Sequence, residues 1–243
     1  MKPELPVIIL IGRPAAGKSE VIDFLKKTPV EERLQRFGIG EFEEIDDFPM
    51  LWTWFEEDAI LEKIMKKPRM HTDADGYFLH RYQWDLLIER ISLEYQKKLR
   101  DPGYHDTRTA IIEFSRGSEH GGYRSAFEHL SDAVLEKAVI VFIDVPWEES
   151  LRKNRKRFNP ERPDSILEHG LPDEKLEKMY RHIDWEEIAA ESPTHITIKG
   201  QRVPYVVFDN MPSRTDDAAL LGPALDDVFQ RARQLRDQGK QTL

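Results

Sequence analysis

Val7-Ile8-Ile9-Leu10-Ile11 runs directly into Gly12-Arg13-Pro14-Ala15-Ala16-Gly17-Lys18-Ser19, and Glu20-Val21-Ile22-Asp23-Phe24-Leu25 follows. A β-branched apolar run, a GxxxxGKS loop and an amphipathic helical pattern make a strand–loop–helix unit suited to holding phosphate. Loop N–H groups and the helix N-terminus point at phosphate oxygens. Lys18 has the reach to meet β- and γ-phosphates, and the Ser19 hydroxyl suits Mg²⁺. Gly12 and Gly17 permit backbone angles and close approach that a Cβ would hinder. The expected nucleotide contacts are therefore Gly12, Arg13, Pro14, Ala15, Ala16, Gly17, Lys18, Ser19 and Glu20. A plain strand-to-helix turn would leave Lys18-Ser19 unexplained.

The rest of the composition narrows the class. The chain has 243 residues, 40% apolar and 33% charged, with a net charge of −9. That length suits one α/β domain with insertions. The acidic balance argues against wholesale binding to a nucleic-acid backbone. The absence of Cys excludes disulfides, thiolate metal sites and Cys nucleophiles. No apolar run approaches membrane-spanning length and no signal-peptide core is visible, so a cytoplasmic enzyme is expected. The eight His show no HxxxH or HExxH spacing, which argues against a His metal site. The expected partner is a small-molecule acceptor, with no nucleic acid and no membrane; self-association into a homodimer is left open.

Apolar runs at 7–11, 110–114, 138–145 and 203–208 read as buried strands, with a weaker alternating one at 40–45. Helical patterns at 19–27, 54–66, 82–99, 123–137, 148–157, 173–188 and 223–236 fill the gaps. Alternating strands and helices predict a parallel sheet with helices on both faces, and ligands beyond the strand carboxyl ends. Residues 1–243 are expected to form one domain. Two stretches are too long for plain crossovers: an aromatic-rich helical insertion at about 48–109, over the acceptor, and a lid region at about 152–192. Phe158 to Pro163 is polar and turn-rich, the pattern of a lid hinge. Trp52 or Trp54, close behind a strand end, is placed to stack on a flat acceptor such as a base; packing within the subdomain is the alternative.

Chemistry is sought at the strand ends. Asp46-Asp47 closes the second strand: one carboxylate can take the proton of an attacking hydroxyl, while the other can hold metal-bound water. Which of the two faces the phosphate loop is not decided by the sequence. Glu113, emerging from an apolar strand, needs a cation or donor; metal and acceptor binding are its expected roles, with Arg116 forking onto acceptor oxygens. The metal set is thus Ser19, Asp47 and Glu113, and the acceptor set Trp52, Glu113 and Arg116. Arg152, Arg155 and Arg157 form the densest basic cluster. Starting near the site's mouth, they suit stabilisation of a phosphoryl group in flight.

As a set, these residues resemble the P-loop nucleoside and nucleotide kinases. Gly12 to Ser19 is similar to that family's phosphate loop. Asp46-Asp47 matches its base and metal carboxylates in position. Glu113 with Arg116 resembles the Glu-Arg pair of deoxynucleoside kinases, although two residues separate them here where the family has them adjacent. Ile143 to Arg152 resembles the strand, turn and helix that open the lid, and Leu171 to Tyr180 the helix after it. The resemblance implies a three-layer αβα sandwich with a five-stranded parallel sheet in the order 2-3-1-4-5. It also implies ATP and Mg²⁺, with Lys18, Asp46, Asp47, Arg152, Arg155 and Arg157 as catalytic candidates. The acceptor region matches no family pattern. A nucleoside or nucleotide is the first expectation for the acceptor; a sugar, an antibiotic, a cell-wall precursor, or no acceptor at all in a nucleotide-binding regulator are the alternatives.

Overall fold

The computed structural model describes residues 2–157 and 170–241. The expected hinge at 158–163 and part of the lid lie outside the described residues. In chain order, β1 is Val7–Gly12, α1 Lys18–Lys27, α2 Val30–Phe37, β2 Glu41–Asp46, α3 Phe48–Lys63, α4 Tyr82–Lys98, α5 Tyr104–Thr107 and β3 Arg108–Phe114. There follow α6 Gly122–Glu128, α7 Asp132–Leu135, β4 Ala138–Asp144, α8 Trp147–Arg157, α9 Asp173–Tyr180 and α10 Trp185–Ala189. The chain closes with β5 His195–Ile198, β6 Gln201–Asp209 and α11 Ala218–Gln241.

The sheet has six strands in the order β2-β3-β1-β4-β6-β5, which corrects the expected five in the order 2-3-1-4-5. The added strand is β5, antiparallel to β6 at the edge, with His195 opposite Pro204. Lys199 and Gly200, at φ 51 and 80, form its two-residue turn. Positive φ at both positions is what a tight hairpin needs. The five other strands are mutually parallel.

Alternate strand residues feed two cores. Val7, Ile9, Ile112, Ile140 and Phe142 pack with Ile88, Ile91, Tyr123 and Trp185 on one face. Ile8, Leu10, Ile111, Val141 and Phe208 pack with Val21, Leu25, Leu225 and Phe229 on the other. Helices thus cover both faces, as period-two alternation on a doubly covered sheet requires. A third cluster, with Trp84, Leu87, Leu176, Met179 and Tyr180, joins α4 to α9 over the strand ends.

Three helical expectations need revision. α3 begins at Phe48, six residues earlier than expected, because Pro49 sits in its first turn, where the missing N–H is harmless. The helix expected over 123–137 is two, α6 and α7. The one expected over 173–188 is also two, α9 and α10. The second break frees Asp184, whose carboxylate accepts the N–H groups of Tyr123 and Arg124 at 2.8 and 3.0 Å, capping α6 from a distant segment.

Candidate functional site

β1 leads into a loop whose geometry suits phosphate. Gly17 has φ 116, and a Cβ there would lie 2.7 Å from the Thr215 methyl. Ala15 also adopts a positive φ, 56. The outside of the loop is held from the far end of the chain. The Asn210 side-chain amide donates to Ala16 O at 2.8 Å and to Thr215 Oγ1 at 2.9 Å. Lys153 Nζ donates to the same hydroxyl at 2.9 Å. Arg13 reaches out to Val145 O at 3.1 Å, fastening the loop to the end of β4.

Lys18 is 7% exposed. Its ammonium donates to Ser115 Oγ at 2.8 Å, Arg13 O at 3.2 Å and Gly12 O at 3.5 Å. Glu113 stands 3.9 Å away. Burial lowers the Lys18 pKa and raises that of Glu113; their mutual attraction opposes both shifts. A buried ammonium held mainly by neutral oxygens is a site that an anion satisfies better.

The acidic strand end divides its two carboxylates. Asp46 stands opposite Glu113 in the β2–β3 register, so both point to the sheet face that carries α1. Its Oδ1 accepts the Phe48 N–H at 2.9 Å. Burial first, then the charges of Asp47 and Glu113, push the Asp46 pKa up to about 8. Asp47 turns the other way. Its Oδ2 lies 2.7 Å from Arg116 Nη1, an ion-pair contact without hydrogen-bond alignment. Arg116, 2% exposed, also donates to Trp84 O at 3.1 Å. Its guanidinium lies 5.2 Å from the Trp84 ring centre.

Asp46 is therefore the carboxylate facing the loop. The metal role expected of Asp47 and the substrate fork expected of Arg116 meet a structure in which each engages the other. The charge pairs at this strand end are Lys18–Glu113 at 3.9 Å and Asp47–Arg116 at 2.7 Å.

The three arginines of α8 part company. Arg152 is bound to Glu149 by two hydrogen bonds of 2.7 Å, and Arg155 to Asp173, both exposed. Arg157 borders the loop, on the walls of two cavities. Trp52 lies beside Phe48, ring centres 5.9 Å apart, and lines a third cavity. Trp54 stacks on His71 at 5.1 Å, the packing alternative rather than a base platform.

Neighbouring cavities among these share lining residues. A cleft of about 510 Å³ lies outside the loop, lined by Ser19, Glu20, Lys153, Arg157 and Thr215 among others. Ser19, Ala15 and Arg157 also line a small chamber of about 140 Å³, together with Asp46, Glu113, Ser115 and Arg116. Phe48, Leu51, Trp84, Leu171 and Tyr180 are shared between that chamber and an aromatic-rich cavity of about 560 Å³. Ser115, Asn210, Lys153 and Thr215 were not singled out from sequence. Ser115, two residues past Glu113, was the one with a local signal, since it follows a strand end.

No group of three or more His, Asp or Glu side chains able to hold a metal occurs among the described residues. No helix among them is long and apolar enough to cross a membrane.

No family model matches the chain, and no curated protein matches it significantly. Solved structures similar to it include the protein APE1195, at 16% identity and a TM-score of 0.39, covering 92% of this chain and 96% of that one. A shikimate kinase from Acinetobacter baumannii is 18% identical, with a TM-score of 0.34, over 72% of this chain and 76% of its own. A sugar kinase from Janibacter sp. is 16% identical, with a TM-score of 0.32, over 71% and 90%. Likeness of this degree assigns neither reaction nor substrate.

Proposed function

We propose that the chain is an ATP-dependent phosphotransferase acting on a small acceptor, a nucleoside or nucleotide first among them. The observation that carries this reading is the run of three cavities, with Lys18 and Asp46 beside the middle one. A regulator that only binds or hydrolyses nucleotide has no use for an aromatic-rich cavity sharing its walls with the phosphate site.

The residues fit ATP and Mg²⁺. The positive-φ loop, the buried Lys18 and the exposed Ser19 hydroxyl offer amides, a cation and a hard oxygen. Magnesium typically takes few protein ligands and keeps its waters and the substrate phosphates; Ser19, with Glu113 lining the same chamber, meets that need. When bound, the ion would neutralise phosphate charge.

The chain's own residues supply the rest. Lys18 exchanges its carbonyl contacts for phosphate oxygens. The acceptor hydroxyl, entering from the aromatic side, gives its proton to the ionised Asp46 carboxylate. Its oxygen bonds to the γ-phosphorus as the bond to the ADP oxygen breaks. Arg157, at the junction of two cavities, faces the charge spread over the transferred group. Asp47 and Arg116 hold the strand end and Trp84 in place.

The test is ATP consumption measured against panels of nucleosides, nucleotides and sugars, with Lys18→Ala alongside. Turnover should depend on one acceptor class, and Lys18→Ala should remove it by a factor of about a thousand or more. Nucleotide binding without any acceptor-stimulated turnover favours the regulator.

A further inference from the structure

The aromatic cavity contains a polar group that phosphoryl transfer does not use. His120 ends a short 3₁₀ turn, Ser118–His120, pinned against α9. Ser118 N donates to His182 O at 2.8 Å. A Cβ at Gly117 would meet Met179 O at 1.8 Å, so only glycine lets the turn lie this close. The His120 ring stacks on Trp84, centres 3.8 Å apart, and meets the Tyr180 ring at 5.0 Å in an edge contact. It is 2% exposed and lines the cavity.

The state of the ring follows from its contacts. His120 Nδ1 accepts the Gly117 N–H at 3.2 Å. A ring nitrogen that accepts carries no hydrogen, so in the neutral imidazole the hydrogen resides on Nε2. Burial, with the Arg116 charge adding to it, lowers the His120 pKa to about 3, and the ring stays neutral at physiological pH. Nε2 is buried and has no hydrogen-bond partner among the described residues. An unsatisfied buried donor is costly and calls for an explanation.

The rim of the cavity has a different character. Among the described residues, Arg81, Lys175 and Lys178 line it with a single carboxylate, Glu119, in a chain of net charge −9. Lys175 Nζ is anchored on Asp75 O and Gly76 O at 2.5 and 3.1 Å. Lys178 Nζ lies 4.2 Å from the Tyr77 ring centre.

We propose that the cavity holds a flat ring, that His120 Nε2–H donates to a neutral acceptor atom on it, and that an anionic substituent lies at the Lys175–Lys178 rim. The acceptor atom is a carbonyl oxygen or an unprotonated ring nitrogen. His120 is thus a specificity-determining residue: an analogue lacking that atom would leave the N–H unpaired, which a polar site penalises strongly. The assignment rests on the cavity being the acceptor site, but its test requires no turnover.

The full chain is titrated calorimetrically with quinoline-3-, quinoline-6- and quinoline-7-carboxylate, and with 2-naphthoate, which has the same outline and no ring nitrogen. At least one quinoline should bind about tenfold tighter than 2-naphthoate. His120→Phe keeps the stacking and loses the donor, so it should bring the two within about twofold. In the wild-type chain labelled with ¹⁵N-histidine, the Nε2 resonance should move with that quinoline and not with 2-naphthoate, a readout that survives if His120→Phe does not fold. Lys175→Gln with Lys178→Gln should weaken both ligands by the same factor. Equal affinities in the wild type, a preference that persists in His120→Phe, an unmoved Nε2 resonance, or no binding of any of the four overturns the proposal. If the ring-nitrogen preference holds while no acceptor stimulates ATP consumption, the phosphotransferase reading fails and the cavity assignment stands.

Discussion

Asp46→Asn should make the chain more stable while it removes acceptor turnover, and the gain should depend on pH in a defined direction. The Asp46 pKa is raised from 3.8 to about 8, with burial the largest cause. A raised carboxylate pKa means that the folded state binds its proton more tightly than the unfolded one. Below pH 4 both states are protonated and nothing is lost. As pH rises from 4 to 8 the unfolded chain ionises first, and stability falls by about 1.4 kcal/mol per unit at full proton difference. The whole shift corresponds to an upper limit of about 6 kcal/mol above pH 8. Glu113 shares in the repulsion and relaxes once Asp46 is neutral, so about half of that is expected, ~3 kcal/mol. Asparagine preserves the Oδ1 that accepts from Phe48 N–H, so the helix start is kept. Denaturant unfolding of both proteins at intervals from pH 4 to 9 measures the difference. It should be near zero at pH 4, open in favour of Asp46→Asn, and level off above 8. In the proposed transfer the same group is the base, so wild-type kcat/KM should rise about tenfold per unit up to pH 8 and then flatten. A stability difference that is flat with pH, or that favours wild type at pH 8, would refute the placement of a destabilised base at Asp46.

Two further perturbations separate the neighbouring groups. Arg116→Ala leaves Asp47 as an uncompensated buried charge and should lower the unfolding free energy by about 3–5 kcal/mol, read by urea denaturation, an effect that Arg152→Ala should not show. Arg157→Ala should cut kcat by about a hundredfold or more. Arg152→Ala and Arg155→Ala, which remove exposed arginines paired with Glu149 and Asp173, should stay within about threefold in the same steady-state assay.

The parallel strands and the phosphate loop were readable because their signals are local: β-branched runs, glycines at fixed offsets, and a Lys-Ser pair at the helix start. Asp46 and Glu113 were found because charge at the end of an apolar run is conspicuous. What stayed hidden was tertiary. No spacing tells Asp46 from Asp47, since the choice is made by Arg116, which arrives from a strand 70 positions later in the chain. The interruption between α9 and α10 is invisible in a helical pattern, because its cause is Asp184 capping another helix. β5 had a signal that went unread, two buried isoleucines in alternation before Lys199-Gly200. α2 had one too, Glu31-Glu32 in its first turn and Gly38 closing it in the left-handed region. His120 carried no signal at all; its ring is defined by Gly117, Trp84 and Tyr180.

The clasp of Asn210, Thr215 and Lys153 around the loop bears on the order of events during synthesis. Gly12 to Ser19 is made first, yet the groups that hold Ala16 and crowd Gly17 lie some two hundred residues downstream. A ribosome-bound chain lacks the finished clasp around the loop until β6 has been inserted beside β4 and Thr215 has emerged. Under the proposed function, nucleotide therefore rewards folding only once residues 210–215 have closed onto the loop. Truncation before Asn210 should abolish that reward even with every residue of the loop intact.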